Sequence, residues 1–133
     1  MNIIHWFSKK EYISFENIGE GGSYMINTLS SSYQDCLIEG SIDYHREEDT
    51  INNWIEKGEL NTKIIIYGKN CMDETAEKKY EQLKKYGFRN IYIYKGGLFE
   101  WLLLQDIFGV DNFKTSSRCN DILKYKPMKI TPF

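Results

Sequence analysis

Three cysteines carry the most reactive side chains in this sequence of 133 residues: Cys36, Cys71 and Cys119. They show no C-x-x-C spacing, and they form no zinc-binding pattern with His5 and His45. Three thiols cannot all pair with one another, so the sequence predicts a reducing compartment such as the cytosol, and no metal site. Of the three, Cys71 lies in the stretch where chemistry is expected, Gly68–Asp73.

The stretch Gly68–Asp73 lies between a predicted strand and a predicted helix. Lys63–Tyr67 is a β-prone run typical of a strand buried on both faces. A helix over Asp73–Tyr86 follows, then a strand over Ile91–Tyr94 and a strongly apolar helix over Leu98–Phe108. A strand–loop–helix–strand unit joins parallel strands through a right-handed crossover, and ligands bind where the loop leaves the strand's carboxyl end. Any chemistry is therefore predicted at Gly68–Asp73.

Shorter elements are predicted before this unit, and a tail after it. The earlier elements are edge-strand candidates at Ile3–Phe7 and Tyr12–Phe15, a turn capped by Ser14, a strand over Ser23–Leu29, a short strand over Cys36–Ile42 that Gly40 breaks, a helical turn within Ser30–Gln34 and a helix over His45–Lys57. The tail Val110–Phe133 is expected to wrap the surface. Together the elements predict one α/β domain over residues 1–133, with a small, mostly parallel sheet flanked by helices on both faces.

Composition and charge argue against several classes of function. The formal net charge is −2, with no basic stripe, so no nucleic acid is expected as a partner. The short tract Lys124–Lys129 could contact a partner or nucleic acid, but in a chain of this charge it is interpreted as a solvated tail. His45, at a charged helix start, is interpreted as solvated rather than as a metal ligand. No apolar run is long enough to span a membrane and no secretory signal is present, so a cytoplasmic location is expected.

Three motifs occur in a characteristic order. They are the I-E-G-S-I segment Ile38–Ile42, the Y-G-F-R-N-I-Y segment Tyr86–Tyr92, and Gly96-Gly97 followed by Trp101. In this order the chain resembles the rhodanese (sulfurtransferase) domain family over roughly residues 12–108, with Glu39 where the family has proline. The resemblance implies a three-layer α/β/α fold and no cofactor. The glycines also suit a left-handed helix end and a sharp strand-to-helix reversal.

The resemblance also identifies the position that should carry the nucleophile. Members that transfer sulfur have a cysteine directly after the central strand, where loop amides and a helix N-terminus stabilise its thiolate and persulfide. Aligned on Ile64–Tyr67, this position is Gly68, which has no side chain to react. Lys69 is the loop's only cation, and the acidic residues in Met72–Glu74 oppose an anionic donor. The expected function is therefore a catalytically degenerate domain that serves as a protein-interaction or structural module, with another protein as partner.

Cys71 leaves an alternative open. A shifted loop could place its sulfur in the amide cradle, giving a sulfurtransferase that uses a thiosulfate or persulfide donor and a relocated nucleophile. A non-covalent ligand in the same cradle is a third reading, and the loop residues expected to bind are Gly68, Lys69, Asn70, Met72 and Asp73. The pair Asp73-Glu74 is interpreted as helix capping rather than as an acid–base pair. A C-x5-R phosphatase loop is excluded, because the arginine position counted from Cys71 is Glu77.

Overall fold

A four-stranded parallel sheet is the centre of the computed structural model, which describes residues 9–19 and 21–128. The strands are β1 (Tyr12–Ile13), β2 (Tyr24–Asn27), β3 (Ile64–Tyr67) and β4 (Ile91–Tyr94). The α-helices are α1 (Glu47–Glu56), α2 (Thr75–Lys85) and α3 (Gly97–Phe108), and short 3-10 turns lie at Phe15–Asn17, Ser31–Tyr33, Tyr44–Arg46 and Ile122–Tyr125. The strand order is β1-β4-β3-β2, and every pair is parallel. The predicted α/β class with a small parallel sheet is confirmed.

Strand β3 lies between β2 and β4, and all four of its residues are buried. Its side chains alternate between the two faces of the sheet. Ile64 and Ile66 pack in the cluster that contains Trp54 of α1 and Leu83 of α2, whereas Ile65 packs in the cluster that contains α3. Because helices cover both faces, a continuous apolar run is the pattern that this strand requires.

The prediction of a strand over Cys36–Ile42 is wrong. The segment instead makes two isolated bridges, one from Ser41 to Met25 of β2 and one from Ile38 to Thr115 in the tail. Gly40, at φ +92, turns the backbone between them. The β-prone residues of the segment therefore lie along the edge of the sheet, but the segment makes too few backbone bridges to form a regular strand.

Most other predicted elements are present but shorter. The turn capped by Ser14 is confirmed, because the Ser14 side chain accepts the N–H of Glu16. The main helix begins at Thr75 rather than at Asp73, and the first helix begins at Glu47 after a 3-10 turn. The predicted strand Ile3–Phe7 and the side chain of His5 lie outside the described residues.

The described part of the tail packs against the body of the protein. The N–H of Glu39 donates to the carbonyl of Lys114 at 3.0 Å, and the N–H of Ser116 donates to Leu37 at 2.8 Å. The indole N–H of Trp101 also donates to Lys114, at 3.0 Å. These bonds hold the tail against α3 and against the segment over residues 37–39.

The hydroxyl of Tyr67 connects β3 to the segment at the sheet's edge. This side chain is fully buried, and its hydroxyl accepts the N–H of Ile38 at 3.1 Å and lies 2.6 Å from the Ser41 hydroxyl. We expect Tyr67→Phe to lower the free energy of unfolding by about 1–3 kcal/mol, because it leaves a buried N–H unsatisfied. Urea unfolding measures this loss. Tyr92→Phe is the control, since no hydrogen bond to its hydroxyl occurs in the described residues; equal losses in the two variants contradict the prediction.

Candidate functional site

Gly68 directly follows β3, so the loop over residues 68–74 leaves the carboxyl end of the central strand and leads into α2. Thr28 directly follows the neighbouring strand β2, and its N–H donates to the carbonyl of Tyr67 at 2.9 Å. The loop therefore lies where parallel sheets bind ligands, as its position in the sequence predicts.

The space beside Gly68 is already filled. A Cβ atom at this residue would lie 2.9 Å from Oδ2 of Asp73 and 3.1 Å from the hydroxyl oxygen of Thr28. The backbone of Gly68 does not adopt a positive φ, so the constraint is one of space rather than of conformation. Any side chain here must displace the carboxylate of Asp73.

The carboxylate of Asp73 is held by three hydrogen bonds. Its Oδ2 accepts the N–H of Lys69 at 3.0 Å. Its Oδ1 accepts both the N–H and the hydroxyl of Thr75, at 3.0 and 2.8 Å. Hydrogen bonds to an ionised acceptor are roughly twice as strong as neutral ones. Asp73 thus stabilises the first turn of α2 from the position before the N-cap, and it also occupies an amide of the loop. The N-cap residue is Glu74, whose side chain makes no capping hydrogen bond, so only Asp73 of the predicted capping pair bonds a helix N–H.

Two further elements hold the loop from outside. At the start of α3, the N–H of Leu98 donates to the carbonyl of Gly68 at 3.0 Å, and the N–H of Phe99 donates to Lys69 at 2.9 Å. Gly97, at φ +68, lies so close that an added Cβ would be 2.7 Å from the carbonyl oxygen of Gly68. The amides that begin α3 are therefore bonded to the loop and do not point into open space.

Asn70 fastens the loop to the tail. Its side chain is buried, with Nδ2 donating to the carbonyl of Tyr125 at 2.8 Å and Oδ1 accepting the N–H of Met72 at 2.9 Å. Tyr125 itself is fully buried. The loop is thus held on one side by α3 and on another by the tail.

Cys71 lies on the outside of this loop. Its side chain is exposed, and no hydrogen bond to its sulfur occurs in the described residues. The pKa of Lys95 is raised chiefly by a hydrogen bond to Glu77 and, to a smaller extent, by the charge of Cys71. Met72 is exposed beside it.

The other two cysteines are placed away from the loop. Cys36 is buried, and burial together with the neighbouring Cys119 raises the pKa of its thiol to about 12. A thiol with so high a pKa is almost fully protonated at neutral pH and is a poor nucleophile.

His45 is exposed in a 3-10 turn, and the side chain of Asp43 accepts the N–H of His45. Within the described residues no group of three or more His, Cys, Asp or Glu side chains could hold a metal ion.

A cavity of about 440 Å³ opens beside the loop, lined by Thr28, Leu29, Ser30, Tyr33, Lys69, Asp73 and Thr75. Sequence reasoning identified Lys69 and Asp73 but missed the cavity's other side. The position of Thr28 could have been inferred, because the carboxyl ends of neighbouring parallel strands meet at one edge. Tyr33 could not, since nothing near it in the sequence marks it as part of a site.

Most of the chain matches a known protein family. The sequence model of the Rhodanese-like domain family matches residues 26–104, which is more than half of the chain. The chain belongs to the Rhodanese-like domain family. No curated protein matches the sequence significantly.

Solved structures agree with this fold. The solution structure of the Rhodanese-like domain of the Alr3790 protein from Anabaena sp. is similar over 94% of this chain and 96% of that one, with 20% identity and a TM-score of 0.56. A crystal structure of the Alr3790 protein is similar over 69% of this chain and 78% of that one, with 27% identity and a TM-score of 0.51.

No helix in the described residues has the length and apolar character needed to cross a membrane.

Proposed function

We propose that this chain is a catalytically degenerate rhodanese-like domain that acts as a protein-interaction or structural module. The observation that carries the proposal is the packing of Gly68 against Asp73. The residue that follows the central strand has no side chain, and the volume beside it holds a carboxylate bonded to the N–H of Lys69.

Sulfur transfer needs a thiolate that attacks a sulfane sulfur and then carries it as a persulfide. Gly68 has no sulfur atom that could act as this nucleophile. An anionic donor such as thiosulfate would also approach the fixed negative charge of Asp73, and two like charges at short distance repel each other strongly where water is scarce. The site therefore lacks the nucleophile and disfavours the usual donor.

A second candidate function is a sulfurtransferase that uses Cys71. It is favoured by the exposure of this thiol and by a small electrostatic interaction with Lys95, whose ammonium would attract a thiolate. Against it, two amides of the loop are bonded elsewhere: the N–H of Lys69 to Asp73 and that of Met72 to Asn70. A persulfide on Cys71 would have no amide cradle from these two groups.

Sulfur loading distinguishes the two candidates. We expect no gain of one sulfur atom in the intact mass after incubation with thiosulfate or with glutathione persulfide, and no thiocyanate above the blank when cyanide is the acceptor. Cys71→Ser, Cys36→Ser and Cys119→Ser are measured in parallel. A sulfur adduct that disappears only in Cys71→Ser, with thiocyanate formed at a steady rate, would overturn the proposal and establish the enzyme.

A further inference from the structure

Two lysines from distant parts of the chain converge on one aromatic ring beside the loop. The ammonium of Lys69 lies 4.7 Å from the centre of the Tyr33 ring, and that of Lys124 lies 5.3 Å from the same centre. We refer to Tyr33, Lys69 and Lys124 as the basic cluster. Attraction between an ammonium and an aromatic face helps to fix both side chains in place.

The backbone beneath each member of the basic cluster is anchored. Lys69 has its N–H bonded to Asp73 and its carbonyl bonded to Phe99. Lys124 precedes Tyr125, which is fully buried and accepts a hydrogen bond from Asn70. The ring of Tyr125 also packs edge-on against Tyr33, with 5.7 Å between centres. Each ammonium group is therefore positioned against the same ring before any ligand arrives, which reduces the entropy lost on binding.

The charges of the basic cluster have no carboxylate partner within the described residues. There, the ion pairs involve Lys10, Lys79 and Lys95, and none involves Lys69 or Lys124. Asp73 lines the same cavity and keeps its negative charge, but its carboxylate is held beside Gly68 by three hydrogen bonds, whereas the two ammonium groups lie over the Tyr33 ring. The two ammonium groups outnumber this carboxylate, so the cluster carries a net positive charge in a chain whose formal net charge is −2.

The cavity beside the basic cluster is large enough for a few side chains of a bound peptide but too small for a large ligand. It has a volume of about 440 Å³, and the Tyr33 ring and Leu29 supply apolar wall while the hydroxyls of Ser30 and Thr28 supply polar groups. A groove of this kind accepts an extended peptide whose acidic side chains reach the two ammonium groups. Nucleic acid fits less well, because its regular row of phosphates calls for a longer basic stripe than this chain presents.

We propose that the basic cluster and its cavity bind an acidic peptide segment of a partner protein. The inference rests on the proposed function as an interaction module and specifies where on the surface and with what chemistry the partner is recognised. It also assigns a role to Lys124, in the basic tract of the tail, which the tail's contacts bring to the loop.

Fluorescence anisotropy with a fluorescein-labelled oligoglutamate peptide tests the proposal. We expect saturable binding at low ionic strength that weakens as salt is added, because salt screens exposed charges. Lys69→Glu and Lys124→Glu should each raise the dissociation constant by about fivefold, the upper end of the effect of losing an exposed charge pair, because each reversal also adds a repulsion. The matched controls are Lys63→Glu and Lys84→Glu, whose ammonium groups also lie over tyrosine rings, at 5.8 Å, but outside the cluster; each should change the constant by less than about twofold.

Any one of five outcomes overturns the proposal. Equal weakening in all four variants means that only net charge is sensed, and equal binding of oligoglutamine means that charge is irrelevant. Tighter binding of a single-stranded oligothymidylate, or competition by inorganic phosphate as effective as that of unlabelled oligoglutamate, assigns the cluster to nucleic acid or to a small anion. If binding is absent and no sulfur adduct forms either, the basic cluster is excluded while a module that uses another surface still stands.

Discussion

Gly68→Cys is expected to lower the free energy of unfolding by about 1–3 kcal/mol, because the new side chain displaces the carboxylate of Asp73 from its hydrogen bonds. It is also expected not to create a sulfurtransferase. The displaced carboxylate stays next to the introduced thiol and repels an anionic donor. Urea unfolding measures the loss of stability, and intact mass after incubation with thiosulfate, in a Cys71→Ser background, measures sulfur loading.

Removal of the carboxylate tests this explanation directly. In Gly68→Cys combined with Asp73→Ala, the loss of stability should be smaller than the sum of the two single losses by about 1 kcal/mol or more, since the single losses share one cause. The N–H of Lys69 is then free for the introduced sulfur, so a sulfur adduct is expected in the double variant and not in Gly68→Cys alone. Additive losses would show that Gly68 and Asp73 do not compete for the same space.

Gly97→Ala is expected to have the largest effect on stability, a loss of about 3 kcal/mol or more. Gly97 has φ +68, and an added Cβ would lie 2.7 Å from the carbonyl oxygen of Gly68 and 2.9 Å from the N atom of Asn70. Both neighbours are backbone atoms of the loop, so the strain cannot be relieved by rotating a side chain. The start of α3 must separate from the loop, which also breaks the bonds that Leu98 and Phe99 donate to it. Thermal and urea unfolding measure the loss.

Gly58→Ala separates the two causes of that loss. Gly58 has φ +70, almost the same as Gly97, but nothing lies within 4 Å of the position of its Cβ. The variant should lose only the cost of the left-handed conformation, about 1–2 kcal/mol. Gly21→Ala, with open space and no positive φ, should be nearly neutral. If Gly58→Ala and Gly97→Ala lose the same amount, close packing of α3 against the loop is not what requires glycine.

The elements that sequence reasoning predicted correctly have strong local patterns. Ile64–Tyr67 is a continuous β-prone run, and Ala76, Tyr80 and Leu83 recur at the spacing that buries one face of a helix; all are buried as expected. Cys36–Ile42 has β-prone residues too, but whether a segment becomes a strand depends on how long a partner it finds, and this information is not local. The positive φ of Gly40 limits that ladder.

The candidate site was predicted in position and in part of its content. The loop Gly68–Asp73 follows from the topology of parallel sheets, and the capping role of Asp73 follows from its place before a helix. That the same carboxylate fills the space beside Gly68 depends on how the loop curls, which no spacing in the sequence specifies. The basic cluster depends on a hydrogen bond between Asn70 and Tyr125, which are 55 positions apart. No local sequence pattern predicts a contact over such a separation.

The short bridges made by the segment over residues 38–42 cover part of one edge of the sheet. Open edges of a sheet present unpaired N–H and C=O groups, and these are templates for aggregation. Here the N–H of Ile42 donates to the carbonyl of Met25 at 2.8 Å, so part of the outer side of β2 is already covered. The opposite edge strand, β1, is only two residues long in the described part of the chain. Within residues 9–19 and 21–128, neither edge offers a neighbouring molecule a long, flat strand on which to extend the sheet.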